Sequence, residues 1–179
     1  MDTAAFHDNY KFLARYNRWI NQRLYAAAGQ LTDEERRRDR GAFFGSLHGT
    51  LEHLVWADKT WLRRFAAQDA AFTALTPQLL ALPEGATYGT QLHGSWDELR
   101  RVRDQLDAAV EDWVAQMPQD FPLRTMRYAN TRGVERAHPA WQALTHLFNH
   151  QTHHRGQATT LLMQAGVDPG TTDLIALVQ

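Results

Sequence analysis

The sequence predicts an all-α protein in which four long helices form a bundle, and three observations support this fold class. Four segments carry apolar residues at every third or fourth position, which is the period of an amphipathic helix. Helix-capping residues precede two predicted helices. A long connection containing Pro and Gly follows the second segment, which is typical of a crossover along a bundle. The length of 179 residues suits a single domain over residues 1–179.

The first predicted helix covers about residues 3–28 and ends near Gly29. Its apolar stripe consists of Phe6, Tyr10, Leu13, Tyr16, Trp19 or Ile20, and Leu24. A capping box, Thr32-Asp33-Glu34-Glu35, then predicts a short further turn of helix. The second helix is predicted over about residues 43–67, with an apolar stripe made of Phe43, Leu47, Leu51, Leu54, Trp61, Leu62 and Phe65.

The connection over about residues 68–94 is too long for a tight turn, so we expect it to cross along the bundle. Three of its residues are expected to pack it onto the core: Leu79, Leu80 and Leu82. The third predicted helix begins near Ser95, where Ser95-Trp96-Asp97-Glu98 forms a second capping box. It ends before Pro118.

Residues 121–138 lose the helical period, and their pattern predicts a small β-hairpin or an irregular loop between the third and fourth helices. The fourth helix is predicted to begin near Pro139, a residue tolerated in the first helical turn, and to end at Gly166. The tail over residues 167–179 is expected to pack onto the bundle through Leu174, Ile175 and Leu177.

Composition excludes several classes of function. The absence of cysteine excludes disulfides, thiolate metal sites and a cysteine nucleophile. A net charge of −1 argues against wholesale binding of nucleic acid, which needs a basic face. The sequence contains no run of 18 apolar residues, so no membrane span is predicted. The first residues lack the pattern of a secretory signal. We therefore expect a cytoplasmic protein with no nucleic-acid or membrane partner.

The nine histidines are the unusual feature of the composition, and four of them lie on the fourth predicted helix: His146, His150, His153 and His154. Histidines four positions apart on a helix share one face and can bind one metal ion. On a helical wheel, His150 and His154 point most nearly into the bundle, whereas His146 and His153 lie on its flank. The wheel therefore favours His150 and His154 as a ligand pair.

A catalytic metal site of the zinc type uses three protein ligands and leaves one position open. The second predicted helix offers His48 and His53 as the third ligand. These two residues flank the apolar stripe of that helix from opposite sides, so the wheel leaves the choice open. A di-iron carboxylate site is disfavoured because no histidine on the fourth helix has Glu three positions before it.

At these residues the chain resembles the DinB/YfiT-like helical-bundle family, which is distinct from the DNA polymerase of the same name. The strongest match is Asn149-His150 followed by His154-Arg155-Gly156-Gln157, similar to the signature of the family's last core helix. A second match is Leu51-Glu52-His53-Leu54-Val55-Trp56-Ala57-Asp58. The first helix adds Tyr16-Asn17-Arg18-Trp19 and Asn21, so the resemblance covers nearly the whole chain.

Carried over to this sequence, the resemblance implies a metal triad of His53, His150 and His154. It also implies a four-helix bundle, a homodimer and a divalent metal ion, with zinc or nickel favoured. Family members of known activity are thiol-dependent S-transferases or isomerases that act on small electrophiles. A low-molecular-weight thiol is therefore the implied cosubstrate, and no catalytic side chain is assigned.

Three functional hypotheses follow from these features. The first is a metal-dependent enzyme that activates the thiol group of a cosubstrate. Activation of water is a weaker variant of this hypothesis. It is weaker because Gln151 follows His150, at the position where zinc proteases have a Glu that acts as general base. The second is a non-catalytic metal-binding stress-response protein. The third is a metal-free scaffold.

The remaining polar residues receive less specific predictions. Asp58 could orient a ligand, but a salt bridge or cap is favoured. The wheel places Arg155 away from the flank histidines, which favours a structural role. His48 and His146 could lie close to the metal site. Solvent exposure is expected for His7, His93 and His138.

Overall fold

The computed structural model describes residues 3–178 and contains four long helices with shorter elements between them. The helices are α1 (Thr3–Ala28), α2 (Asp33–Arg37), α3 (Leu47–Ala66), α4 (Pro77–Leu80), α5 (Trp96–Gln116) and α6 (Ala140–Gln164). The two strands are β1 (Thr125–Ala129) and β2 (Glu135–Pro139), and short 3₁₀ turns cover Phe121–Leu123 and Leu174–Leu177. In the bundle, α1 packs against α5 and α6, while α3 packs against α6 and α5. The prediction of an all-α four-helix bundle is confirmed.

Side-chain caps determine where several helices begin. The hydroxyl oxygens of Thr32 and Ser95 accept hydrogen bonds from the backbone N–H groups three residues later, as both capping boxes predicted. The second long helix was predicted to start at residue 43 but begins at Leu47. Gly45, at φ +72°, turns the chain, and Ser46 caps the helix through the N–H of Gly49.

This later start of α3 matters for the site, because it leaves Phe43 and Phe44 in the preceding loop rather than on the helix. The core itself is filled by side chains from all four long helices. The largest fully buried apolar ones include Tyr10, Ile20, Leu51, Phe65, Leu99 and Trp113.

A buried polar network links the four long helices. Arg103 of α5 forms ion pairs with Asp58 of α3 at 2.6 Å and with Asp107 of α5 at 2.9 Å. Asp107 also accepts hydrogen bonds from Asn17 and Asn21 of α1. Arg155 of α6 donates to the Asn17 side chain. These contacts place Asp58 in a salt bridge between helices and Arg155 in a structural position, in agreement with the favoured sequence interpretation of each.

The long connection after α3 returns along that helix, where Lys59 Nζ donates to the carbonyl of Ala81 at 3.1 Å. Leu80 is buried against the core, and Leu79 and Leu82 are half-buried. The tail packs through Leu174 and Leu177, but Ile175 is 68% exposed, so the prediction that it packs inward was wrong.

The predicted hairpin is present as antiparallel strands β1 and β2, with Thr125 opposite Pro139 and Ala129 opposite Glu135. The side-chain amide of Gln68, just beyond α3, bonds both the N–H and the carbonyl of Arg127. Gln68 thereby attaches β1 to the end of α3. Among the described residues, no helix is long and apolar enough to cross a membrane.

Candidate metal centre

Three histidine side chains meet between α3 and α6. His53 comes from α3, and His150 and His154 come from successive turns of α6. The Nε2 atom of His150 lies 3.3 Å from Nε2 of His53 and 3.1 Å from Nε2 of His154. A ligand atom of each residue lies within 4.8 Å of a ligand atom of both others. The structure therefore brings together the three residues that the resemblance implied.

Hydrogen bonds on the opposite ring nitrogens set the tautomers of two of these histidines. His53 Nδ1 lies 3.0 Å from the carbonyl oxygen of Tyr88, which can only accept, so Nδ1 donates. His154 Nδ1 donates in the same way to Oε1 of Gln157 at 2.7 Å. The Nε2 atoms of both neutral rings consequently carry lone pairs, and both face the Nε2 atom of His150.

The histidines are held in the neutral form that binds metals. Burial, reinforced by the nearby His154, lowers the pKa of His53 to about 4. Burial and the neighbouring His154 and His53 lower the pKa of His150 to about 3. Burial also lowers the pKa of His154. All three imidazoles are therefore available as ligands at neutral pH without first losing a proton.

The donor set also fits a metal ion in its spacing. Zinc–nitrogen bonds of about 2.0–2.1 Å at tetrahedral angles place neighbouring ligand nitrogens about 3.3 Å apart. The observed separations of 3.3 and 3.1 Å are close to that value. Three neutral imidazoles leave the full charge of a divalent ion uncompensated and one tetrahedral position open. Such a site could bind and polarise a small molecule.

Aromatic side chains cover the histidines on two sides. The ring of Phe44 stacks on His53 at 4.0 Å between centroids and meets His154 edge-on at 5.5 Å. On another side, Trp61 contacts His146 at 4.7 Å, and His146 lies 5.5 Å from His150. Phe44 and Trp61 thus give the three histidines partly apolar surroundings.

Sequence reasoning assigned no role to Phe44, Tyr88 or Gln157. Gln157 stands within the quoted motif, three positions after His154, and that helical spacing is the signal that could have identified it. Tyr88 contributes a backbone carbonyl from a loop without periodicity, so no sequence pattern indicates it.

The alternative third ligand, His48, lies elsewhere on α3. Its Nε2 atom is 3.5 Å from a carboxylate oxygen of Glu52, and His93 Nδ1 donates to the other oxygen at 3.0 Å. The N–H groups of Leu92 and His93 also donate to Glu52. Although burial opposes ionisation, these partners lower the pKa of Glu52 to about 2. His48 and His93 thus surround a buried carboxylate outside the three-histidine group.

Two of the predictions of exposed histidines were wrong. His93 is buried because Glu52 requires hydrogen-bond donors inside the protein. His7 is buried as well, and its Nε2 atom donates to the carbonyl of Val114 at 2.9 Å. His138 is half-buried, with Nε2 3.2 Å from the Tyr128 hydroxyl. His146 and His153 are exposed on the flank of α6, as the wheel indicated.

Comparisons with known proteins identify relatives of this chain. The family model described as the DinB family matches residues 1–179. Protein DinB of Bacillus subtilis (strain 168) is 25% identical over 162 residues, which cover 90% of this chain and 88% of that protein. No solved structure matches the chain.

Proposed function

Since this chain belongs to the DinB family, we propose that it binds a divalent metal ion through His53, His150 and His154 and uses it to activate a low-molecular-weight thiol. One observation supports metal binding above all others. Two Nε2 lone pairs, each oriented by a hydrogen bond on Nδ1, face a third imidazole nitrogen at 3.1–3.3 Å. Zinc or nickel is the proposed ion, since both accept imidazole ligands.

A divalent ion bound here would lower the pKa of a thiol, or of a water molecule, placed in its open position. The protein's own residues prepare the site for that chemistry. The Tyr88 carbonyl and the Gln157 side chain hold the His53 and His154 rings in one orientation. Phe44 packs against both rings, and an apolar neighbour strengthens electrostatic interactions at the site.

The sulfur atom would come from a cosubstrate, because the chain contains no cysteine. In the proposed reaction the thiol loses its proton to solvent, and its sulfur forms a bond to an electrophilic carbon of the small substrate while the leaving group departs from that carbon with its electron pair. Hydrolysis is a weaker variant. Gln151, which follows His150, has no basic group, and its side chain is only 1% exposed, on the core side of α6. We also propose that the protein is active as a homodimer.

Metal analysis of protein purified without a histidine tag tests the first half of this proposal. We expect about one divalent ion per chain, lost in His53→Ala and in His150→Ala. Unchanged metal content in both variants would overturn the ligand assignment.

Turnover assays test the second half. The metal-loaded protein would be assayed for conjugation of a panel of electrophiles with glutathione, bacillithiol and mycothiol. Turnover that disappears with the metal supports the thiol-transferase function. A stoichiometric metal site without turnover across the panel would favour the alternative, a non-catalytic metal-binding protein of the stress response.

A further inference from the structure

Three arginines line one open cavity outside the candidate metal centre. The cavity has a volume of about 390 Å³ and lies where the end of α3 meets strand β1. Arg63 and Arg64 enter it from α3, and Arg127 enters it from β1. No function described above uses this cavity.

These arginines have no acidic partner among residues 3–178, since no carboxylate oxygen of that part of the chain lies within 4.0 Å of Arg63, Arg64 or Arg127. Some other arginines do have carboxylate partners. Arg103 pairs with two aspartates, and Arg124, near the same hairpin, pairs with Asp69 and Asp120. The cavity is therefore a local concentration of positive charge in a chain of net charge −1.

One of the three guanidinium groups, that of Arg64, is held by aromatic contacts rather than free in solvent. The guanidinium carbon of Arg64 lies 4.5 Å from the ring centre of Trp61 and 4.9 Å from that of Tyr128. This contact with two aromatic rings limits the movement of its planar donor fork. Strand β1 is held against α3 by the bonds of Gln68 to the Arg127 backbone, which keeps Arg127 on the same cavity.

The cavity is connected to the three histidines through one aromatic side chain. Trp61 contacts both the Arg64 guanidinium, at 4.5 Å, and the ring of His146, at 4.7 Å. His146 lies next to His150, at 5.5 Å between ring centres. A small molecule that reaches the metal position past His146 could therefore extend along Trp61 toward the arginines.

We propose that Arg63, Arg64 and Arg127 form an anion subsite that binds a carboxylate or phosphate group of the small molecule whose other end reaches the metal. The identity of that molecule rests on the proposed function. The binding of the anion does not depend on it. Guanidinium groups match oxyanions with paired hydrogen bonds, and adjacent aromatic rings lower the effective dielectric constant around them.

Binding of simple anions tests the subsite without any thiol. Malonate and inorganic phosphate would be titrated, at low ionic strength, into metal-free and metal-loaded protein, while the arginine side-chain N–H signals are followed by NMR. We expect saturable shifts at Arg64 and Arg127, and at least tenfold weaker binding in Arg64→Gln and in Arg127→Gln. The anion that binds more tightly identifies the group.

Arg132→Gln is the matched control, because Arg132 is exposed on the turn of the same hairpin and does not line the cavity. Arg127 is itself exposed, so Arg127→Gln should fold even if Arg64→Gln does not. Binding that is unaffected by both cavity variants, or weakened equally by Arg132→Gln, would overturn the proposal.

A second arm connects the subsite to the thiol. In the metal-loaded enzyme, blocking the carboxylates of glutathione as ethyl esters should raise KM at least tenfold, and Arg127→Gln should raise KM for glutathione but not for the ester. Equal KM values for the two thiols in the wild-type protein would overturn the link between subsite and cosubstrate. If no thiol turns over while the anion still binds, the proposed function fails and the subsite stands.

Discussion

The Nε2 atoms of His53 and His150 lie 3.3 Å apart, although 97 positions separate these residues in the chain. Nε2 of His154 lies 3.1 Å from the same atom of His150. Because His53 and His154 each use Nδ1 as the donor, only His150 can supply a proton between the three rings. A cation at this point would be held by all three Nε2 lone pairs once His150 carries its proton on Nδ1, and this relationship leads to the following predictions.

Replacement of a proposed ligand should abolish metal binding. His53→Ala and His150→Ala each remove one of the three nitrogen ligands. We therefore expect the affinity for zinc to fall more than about 100-fold, which exceeds the loss typical when a residue that only hydrogen-bonds a ligand is replaced. Competition with a chelator of known affinity would measure it. His153→Ala is the control, since His153 is exposed on α6 outside the group; retention of zinc affinity in His150→Ala would contradict the prediction.

Loss of the Gln157 hydrogen bond should weaken the site without removing a ligand. In Gln157→Ala, Nδ1 of His154 loses its acceptor at 2.7 Å, so the ring is free to turn or change tautomer. We expect the metal affinity to fall by about 10- to 100-fold. Gln142→Ala, an exposed change on the same helix, should have no effect. Equal affinities of the two variants would show that the Gln157 contact does not orient the ring.

The stability of the metal-free protein should decrease in mild acid. The pKa values of His53 and His150, about 4 and about 3, lie below the ordinary value of 6.5. Below pH 6.5 the unfolded chain therefore binds more protons than the folded protein, and the free energy of unfolding falls as the pH decreases toward 4. The slope is at most about 1.4 kcal/mol per pH unit for each imidazole, reduced by partial exposure.

Urea denaturation in the presence of a chelator, repeated between pH 7 and pH 4, would measure this slope. His150→Gln replaces the imidazole by a group that does not titrate, so the slope should become shallower. The same slope in the variant and the wild-type protein would exclude His150 as a source of the acid sensitivity.

Asp58 should matter for folding rather than for the metal. Asp58→Ala leaves the buried guanidinium of Arg103 with Asp107 alone, and we expect a loss of about 3 kcal/mol, at the lower end for a broken buried ion pair. Urea denaturation would measure this loss, and Asp112→Ala, an exposed change on α5, is the control. A fall in the metal affinity of folded Asp58→Ala would instead assign Asp58 to the orientation of a ligand.

Local sequence patterns determined most of the fold. Helical periodicity and the caps at Thr32 and Ser95 depend on neighbours within a few positions, so the helices could be placed from sequence alone. The same local geometry put His150 and His154 on one inward face. The start of α3 was missed because the period of its apolar stripe continues through Phe43, past the turn at Gly45 and the cap at Ser46.

The rest of the site depends on contacts between distant segments, which no local pattern records. His48 and His53 are equivalent by their position beside the stripe of α3, and only the packing of α3 against α6 places His53 at His150 and His48 at Glu52. The burial of His93 likewise follows from a carboxylate 41 positions away. The sequence by itself determined the helices and one pair of ligands, His150 and His154. Tertiary packing decided the position of the third histidine, His53, and of the Tyr88 carbonyl that orients it. The reason is that side chains and loops far apart in the chain become neighbours only when the helices pack.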